Sequence, residues 1–361
     1  MLLISSSRFV DHLTPPGHPE SPERAEIFDG VAERAQLRGV EVIEPTPASD
    51  EALLRIHTRP YLDAISATSG RVSMIDPDTF TSPETVALAR LAAGAAILAV
   101  DRCLASAHAA PFGARPDGAW PQIGTGSVPR ALALVRPPGH HAEADRAMGF
   151  CFFNNIAIAA AHARARGVER VAIVDFDVHH GNGTQRSFYA DPNVLFISTH
   201  QYPFYPGTGA VTEVGSGAGT GCTVNVPIEG GATDGDYQRV FEAIVTPVLH
   251  QFQPDLVLVS AGFEAHERDP LAQMRVTTPG FVWMTTMLRD LADDLCGGRL
   301  AVITEGGYDL RALAESLDAV CGVLEATTST VAHEPLRGPT PRADRAIAAV
   351  REAQAAKWAG L

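Results

Sequence analysis

Short apolar runs recur along this chain, each closing on a polar or glycine-rich turn, and most are separated from the next by an alanine-rich stretch of helical character. ALALV (131–135), VAIVDF (171–176), VLFIST (194–199), DLVLVSA (255–261) and LAVIT (300–304) are the clearest, and the opening MLLISSSRFVDH reads as a short first strand. Strand-length runs alternating with helices are the pattern of a mainly parallel sheet flanked by helices, an α/β class. The helices include ETVALARLAAGAAILAVDRCLASA (84–107), dominated by small residues, and NIAIAAAHARARG (155–167), which ends on glycine as helices often do. One stretch breaks the rhythm: APFGARPDGAWPQIGTGSVPR (110–130) is rich in proline and glycine and has neither period. It reads as a surface insertion in preference to a domain linker, because the alternation continues on both sides, so residues 1–361 are expected to form one domain. The tail, 334–361, reads as a proline-marked loop and a final amphipathic helix. No internal repeat is visible.

Composition narrows the function class. At 361 residues, 45% hydrophobic and 19% charged, the chain can bury a large core. A formal net charge of −14 argues against a nucleic-acid or membrane-surface binder, which needs a basic face, and leaves cationic substrates open. The five cysteines are scattered, with no C-x-x-C spacing, and read as reduced, buried residues. The N-terminus turns polar too soon for a signal peptide and no apolar run reaches ~18 residues, so a cytoplasmic location is expected.

The strand ends carry the chemistry. In an open parallel sheet, ligands bind where the loops at the carboxyl ends of the strands converge. Here ALALV runs into RPPGHH, VAIVDF into DVHHGNGT, DLVLVSA into GFEAH and LAVIT into EGGY, so four strands deliver ionisable or metal-binding groups to one rim. Asp177 and His179 lie two apart at a strand end, where period 2 puts both side chains on one face, within reach of one cation. Glu264 follows another strand and offers the third ligand a catalytic metal needs; the bland alternative is a solvated carboxylate paired with Arg268. His140 and His141 follow a rigid RPPG turn, and Asp175 and Asn182 are candidates for orienting their imidazoles. Tyr308, after two glycines, is placed to donate to a developing oxyanion, or else to pack as an aromatic at a turn.

Together RPPGHHA, DFDVHHGNGT, FYPGTG, SAGFEAHERDPL and EGGYDL, in this order, resemble the histone deacetylase and acetylpolyamine amidohydrolase family. The resemblance runs from HPESPER (18–24) to EGGYDL (305–310), and Asn182 with the early HPE-x-PER segment is similar to class II and bacterial members. It implies a single-domain, arginase-like, three-layer α/β fold. It further implies that Asp177 and His179 are zinc ligands, that His140 and His141 handle protons with Asp175 and Asn182 orienting them, and that Tyr308 polarises the substrate carbonyl. By the same resemblance, Phe150 and Tyr205, with Gly149 beside them, wall an acyl-lysine tunnel, Asp78 holds the substrate backbone at the rim, and Arg24 lines an internal acetate channel. A structural K⁺ would involve Asp175, Asp177, His179, Ser198 and Thr199.

One departure stands out: the third ligand position is normally Asp in this family, and here it is Glu264. The extra methylene moves the carboxylate by ~1.5 Å unless its surroundings adjust. Zinc accepts Glu elsewhere, and an oxygen-rich site also suits Fe²⁺ or Mn²⁺. The expected function is therefore metal-dependent hydrolysis of the amide of an acyl-lysine, acetylpolyamine or other small acylated amine, with a homo-oligomer open and no nucleic-acid or membrane partner. Two other classes are carried beside it: a binding protein whose Glu264 marks a degraded metal site, and a ureohydrolase relative such as arginase.

Overall fold

The computed structural model describes residues 1–105, 130–326 and 340–361. Eight strands form one sheet: β1 (Leu2–Ile4), β2 (Glu41–Ile43), β5 (Arg130–Ala133), β6 (Val171–Asp175), β7 (Val194–Gln201), β8 (Thr223–Ile228), β9 (Leu256–Ala261) and β10 (Leu300–Thr304). Between them in sequence, β3 (Ser73–Met74) and β4 (Phe80–Thr81) make a small antiparallel pair. The sheet order is β2-β1-β5-β10-β9-β6-β7-β8, and all seven neighbouring pairs are parallel.

Every residue of β6, β9 and β10 is buried, because helices cover both faces and period 2 sends alternate side chains into two separate cores. Ala172, Val174, Val257, Val259 and Val302 face one core, with Tyr237, Phe241 and Phe281. Val171, Ile173, Leu258, Ala301 and Ile303 face the other, where Ala92, Ala95, Ala96 and Ala99 of the helix Thr85–Ala105 lie against the sheet. The small residues of that helix let backbones approach closely: a Cβ on Gly94 would stand 1.8 Å from the carbonyl oxygen of Thr46. The result is the three-layer α/β arrangement expected.

Differences of detail have local causes. The strand expected at 131–135 begins at Arg130 and ends at Ala133. Of the stretch 110–130, only Arg130 is described, and it belongs to β5; the rest lies outside the described residues, as do 334–339 of the tail. The final helix is Pro341–Gln354, packed on β8 and on the helix Asp234–Val240, with Ala343, Ile347 and Val350 buried in the core. The sequence reading missed β2 and β8. β2 is only three residues long and partly exposed at one edge, and β8 carries polar Thr223 and Asn225 and a proline, Pro227, tolerated because this strand is the other edge. All five cysteines are buried and unpaired, as expected. Among the described residues no helix is long and apolar enough to cross a membrane.

Candidate active site

The four strands that end in ionisable motifs, β5, β10, β9 and β6, are consecutive neighbours at the centre of the sheet. Being parallel, they open their carboxyl ends on the same edge, and the loops are tied together there: Phe263 N–H donates to Gly306 O at 3.2 Å and Glu305 N–H to Ala261 O at 2.9 Å. Around these ends lies a cavity of about 210 Å³. Asp78, His140, His141, Gly149, Phe150, Asp177, His179, Tyr205, Glu264 and Tyr308 all line it, which brings ten of the residues singled out in the sequence to one place.

Asp177, His179 and Glu264 each present a ligand atom within 4.8 Å of the others. His179 Nδ1 is 3.2 Å from Asp177 Oδ1 and 3.6 Å from Glu264 Oε1. The strand pleat is not what aligns the first two, because β6 stops at Asp175. Two successive side-chain-to-backbone turns do it: Asp177 N–H donates to Asp175 Oδ1 at 3.1 Å and His179 N–H to Asp177 Oδ1 at 2.9 Å. Glu264 is 2% exposed, and the solvated pairing with Arg268 does not form; Arg268 pairs with Asp309 instead. Glu264 Oε2 is buried with no hydrogen-bond partner, an uncompensated cost that a cation would remove.

Glycines make room for the longer carboxylate. A Cβ on Gly306 would fall 1.7 Å from Glu264 Oε1, and one on Gly262 would fall 1.9 Å from Asp177 Oδ2 and 2.4 Å from Glu264 Oε2. The donor set is therefore compact and buried, and Glu fits it. Burial and then the Asp177 charge push the Glu264 carboxyl up to about 8. Burial opposes the charged form of His179, but its hydrogen bonds to Asp177 and Glu264 prevail and raise it to about 9. A cation bound among these groups would favour their deprotonated forms.

The two histidines behave differently. His140 Nδ1 is 3.0 Å from Asp175 Oδ2, and although burial disfavours its charge, Asp177 and Asp175 hold its pKa well above the ordinary value. His141 Nδ1 is 2.8 Å from Asn182 Oδ1, and burial together with the charge of His140 holds its pKa well below. The hydrogen bond to the Asn182 amide opposes this lowering and does not overcome it. Asn182 opens the helix Asn182–Phe188, and its Nδ2 donates to Glu143 Oε1 at 2.9 Å and to His141 O at 3.3 Å.

Tyr308 is held from two sides. Asp269 accepts from the N–H groups of Tyr308 (2.7 Å) and Asp309 (3.3 Å). Arg24, fully buried, lies with its guanidinium 5.1 Å from the Tyr308 ring centre while donating to Gly307 O (2.9 Å), Glu305 O (2.6 Å) and Glu20 Oε1 (2.9 Å). Phe150 meets the Tyr308 ring edge-on at 5.8 Å, and Tyr205, 38% exposed, meets His141 edge-on at 5.2 Å. The turn before Phe150 requires its glycine: Gly149 has φ +57°, and a Cβ there would stand 2.5 Å from His141 Cδ2. Phe150 itself has φ +68°, an uncommon conformation for an aromatic residue, supported by its N–H donating to Thr79 Oγ1 at 3.1 Å.

Asp78 lies on the cavity wall, half-buried, with its carboxyl raised by burial and by neighbouring Asp76. Its carbonyl oxygen is 3.0 Å from His18 Nε2. Ser198 and Thr199 are fully buried in β7, where Ser198 sits opposite Asp175 in register and Thr199 Oγ1 donates to Asp175 O at 3.4 Å.

Three contributors escaped the sequence reading. Glu305 accepts from the N–H groups of Gly139 (2.6 Å) and His140 (3.1 Å) and from Ser260 Oγ (2.9 Å), tying the loops after β5 and β10 to strand β9, and burial raises it to about 7. Asp269 braces the tyrosine loop. Phe204 stacks on His179 with ring centres 5.3 Å apart, so both aromatics of the pair 204–205 serve the cavity. The first two sit inside quoted motifs as acids before or after a glycine or proline turn, the one signal available.

Residues 18–324 match the family model described as histone deacetylase domain. The chain is 41% identical over 335 residues to the histone deacetylase-like amidohydrolase of Pseudomonas aeruginosa, covering 89% of this chain and 80% of that protein. It is 40% identical over 315 residues to Histone deacetylase 10, chloroplastic, of Oryza sativa, covering 83% of this chain and 68% of that one. The crystal structure of the HDA15 HD domain is similar with a TM-score of 0.85 at 37% identity, covering 99% of this chain and 94% of the other.

Proposed function

This chain belongs to the histone deacetylase family, and on that premise we propose that it is a metal-dependent amidohydrolase releasing an acetyl or other short acyl group from a linear amine. The observation that carries the proposal is the convergence, on one cavity, of a buried three-ligand cluster, a neutral imidazole and a tyrosine hydroxyl.

Asp177, His179 and Glu264 would hold the metal, zinc in the first place, with Fe²⁺ or Mn²⁺ also suited to two carboxylates and one imidazole. Bound there, a divalent cation supplies Lewis acidity, polarising an acyl carbonyl and acidifying a water. Phe150 and Tyr205 confine the acyl-bearing chain, and Asp78 accepts from it at the rim. His141, kept neutral by burial, takes the proton of the attacking water at Nε2 while Nδ1–H stays on Asn182. His140, kept protonated by Asp175 and Asp177, adds positive charge beside the reacting carbon. The opposite displacement of the two histidines separates the base from the charged partner. Tyr308 donates its hydroxyl proton in a hydrogen bond to the carbonyl oxygen as charge builds there. Return of a proton from the histidine pair to the amine nitrogen completes the cleavage: one water is consumed, and one amine and one carboxylic acid are formed.

The test is a turnover panel of a fluorogenic acetyl-lysine peptide, acetylputrescine, acetylspermidine and longer acyl-lysines, with and without a chelator. Turnover of at least one substrate, abolished by chelation and restored by zinc, is expected. Full activity in the chelated protein would refute the metal requirement, and no turnover of any amide by zinc-loaded protein would refute the hydrolase.

A further inference from the structure

The Asn182 side chain can serve His141 in only one of two nearly equal-sized orientations. With Oδ1 toward the ring, as found at 2.8 Å, Nδ1 must carry the ring proton and Nε2 keeps its lone pair. Rotated by half a turn, the amide would present Nδ2 to the ring. Nδ1 would then be the acceptor, Nε2 would carry the proton, and the ring could no longer take one from a water. Size does not choose between the two, since amide oxygen and nitrogen are almost the same shape; the neighbours choose.

The neighbour that discriminates most sharply is Glu143. Its Oε1 stands 2.9 Å from Asn182 Nδ2, and an ionised carboxylate only accepts. The rotated amide would set its own oxygen there, acceptor against acceptor, inside a site where the carboxylate is only 7% exposed. The carbonyl oxygen of His141 favours the same orientation through a longer contact of 3.3 Å. Glu143 is itself fixed: Oε2 pairs with the guanidinium of Arg186, on the same short helix as Asn182, and its N–H donates to Arg146 O at 2.9 Å. Glu143 does not line the cavity.

We propose that Glu143 is a positioning residue for the hydrolysis: by accepting from Asn182 Nδ2 it fixes the amide, and through the amide it fixes the His141 tautomer. This rests on the reading above in which His141 is the base. A carboxylate in place of Asn182 would need no such guide, because both of its oxygens accept. The amide and the acid that faces it therefore form one unit.

A double-mutant cycle tests it. Glu143→Gln replaces the acceptor-only group with an amide that can satisfy either orientation of Asn182. Asn182→Asp removes the orientation problem but places two carboxylates face to face. Each single change is expected to lower kcat ~10- to 100-fold with KM little changed. In the double variant, a carboxylate that accepts from His141 either way meets an amide that can donate to it, and kcat is expected at least tenfold above the lower single variant. Single effects that multiply in the double variant would overturn the proposal, as would a Glu143→Gln variant with wild-type kcat.

Long-range ¹H–¹⁵N correlations of the histidine rings give a readout independent of turnover. His141 is expected as the Nδ1–H form in the zinc-loaded wild type, with Nε2–H appearing in Glu143→Gln. A wild-type ring in the Nε2–H form overturns the proposal even if the variant does not fold. Absence of all wild-type turnover alongside the expected tautomers would count against the hydrolase reading alone and leave the role of Glu143 in orienting the ring supported.

Discussion

Gly306→Ala probes the proposed third metal ligand without substituting any of the three. The added Cβ would lie 1.7 Å from Glu264 Oε1, 2.4 Å from its Cδ and 2.8 Å from Tyr308 Oη, whereas real Cβ contacts essentially never fall below 3.0 Å. Tyr308 needs to give only a few tenths of an ångström, but Glu264 Oε1 must retreat by about 1.3 Å, the difference between 3.0 and 1.7 Å. Metal–carboxylate bonds are ~2.0–2.2 Å long and hold to within ~0.2 Å; Cδ lies within the same overlap, so the retreat carries the whole carboxylate out of ligand range. We expect zinc affinity to fall ~100-fold or more, about 3 kcal/mol, and turnover to fall with it. The apo protein should melt near the wild-type temperature, because the obstructed atoms belong to the end of a flexible side chain.

A shorter acid at 264 separates the overlap from the reach. Glu264→Asp in the Gly306→Ala background shortens the side chain by one C–C bond, ~1.5 Å, which clears the added Cβ but withdraws the carboxylate from the metal by as much as the retreat did. Zinc affinity should then remain as low as in Gly306→Ala, because relief of the overlap does not restore the reach. Competition with a chromophoric chelator measures the affinity, elemental analysis the stoichiometry and thermal circular dichroism the fold. Gly306→Ala binding zinc at wild-type affinity, or a double variant that regains wild-type affinity, would refute Glu264 as a ligand in the geometry described.

Two further predictions concern the tyrosine and a buried histidine. Tyr308→Phe is expected to keep stoichiometric zinc while kcat drops ~10²- to 10³-fold, and near-normal turnover in that variant would remove Tyr308 from its role at the carbonyl oxygen. His57, buried, accepts from Asn154 N–H at Nε2 (3.0 Å) and donates from Nδ1 to Glu143 O (3.0 Å), and burial lowers it from its ordinary 6.5 to about 4. Below pH 6.5 the unfolded chain takes up a proton that the folded one refuses until about 4, so this group's contribution is lost as pH falls through that window, by about 2 kcal/mol at pH 5. Between pH 7.5 and 5, the difference in unfolding free energy between wild type and His57→Gln should move against wild type by about that amount; a difference independent of pH in urea titrations would show that His57 is not held neutral.

Fold and site were legible in the sequence to different depths. β6, β9 and β10 were readable because central parallel strands are apolar on both faces and end abruptly in polar turns. β8 was not, because an edge strand tolerates Pro227 and alternates in polarity. The residues that touch the cavity were readable because their types are informative in themselves: histidine, aspartate and tyrosine at strand ends. Glu305, Asp269 and Glu143 act by accepting from N–H groups that tertiary structure brings to them from loops up to 166 positions away, and a carboxylate in a turn carries no local sign of that. The pairing of Asp177 with His179 was foreseen for the wrong local reason, since side-chain-capped turns beyond the strand align them and the pleat does not.

Glu264 shows how a residue that looks out of place is made to fit. By itself, one extra methylene displaces a ligand by most of a metal–ligand bond length, which made this position the weakest of the three in the sequence. The structure answers with space: the carboxylate oxygens lie where Cβ atoms at 262 and 306 would be, one oxygen toward each glycine. Both glycines follow central strands, β9 and β10, so the room is created by adjacent parallel backbones at the one edge where their loops converge. Reach at 264 and smallness at 262 and 306 are thus one property distributed over three residues. Shortening Glu264 alone forfeits the reach, adding bulk at Gly306 alone displaces the carboxylate, and making both changes clears the overlap without restoring the reach.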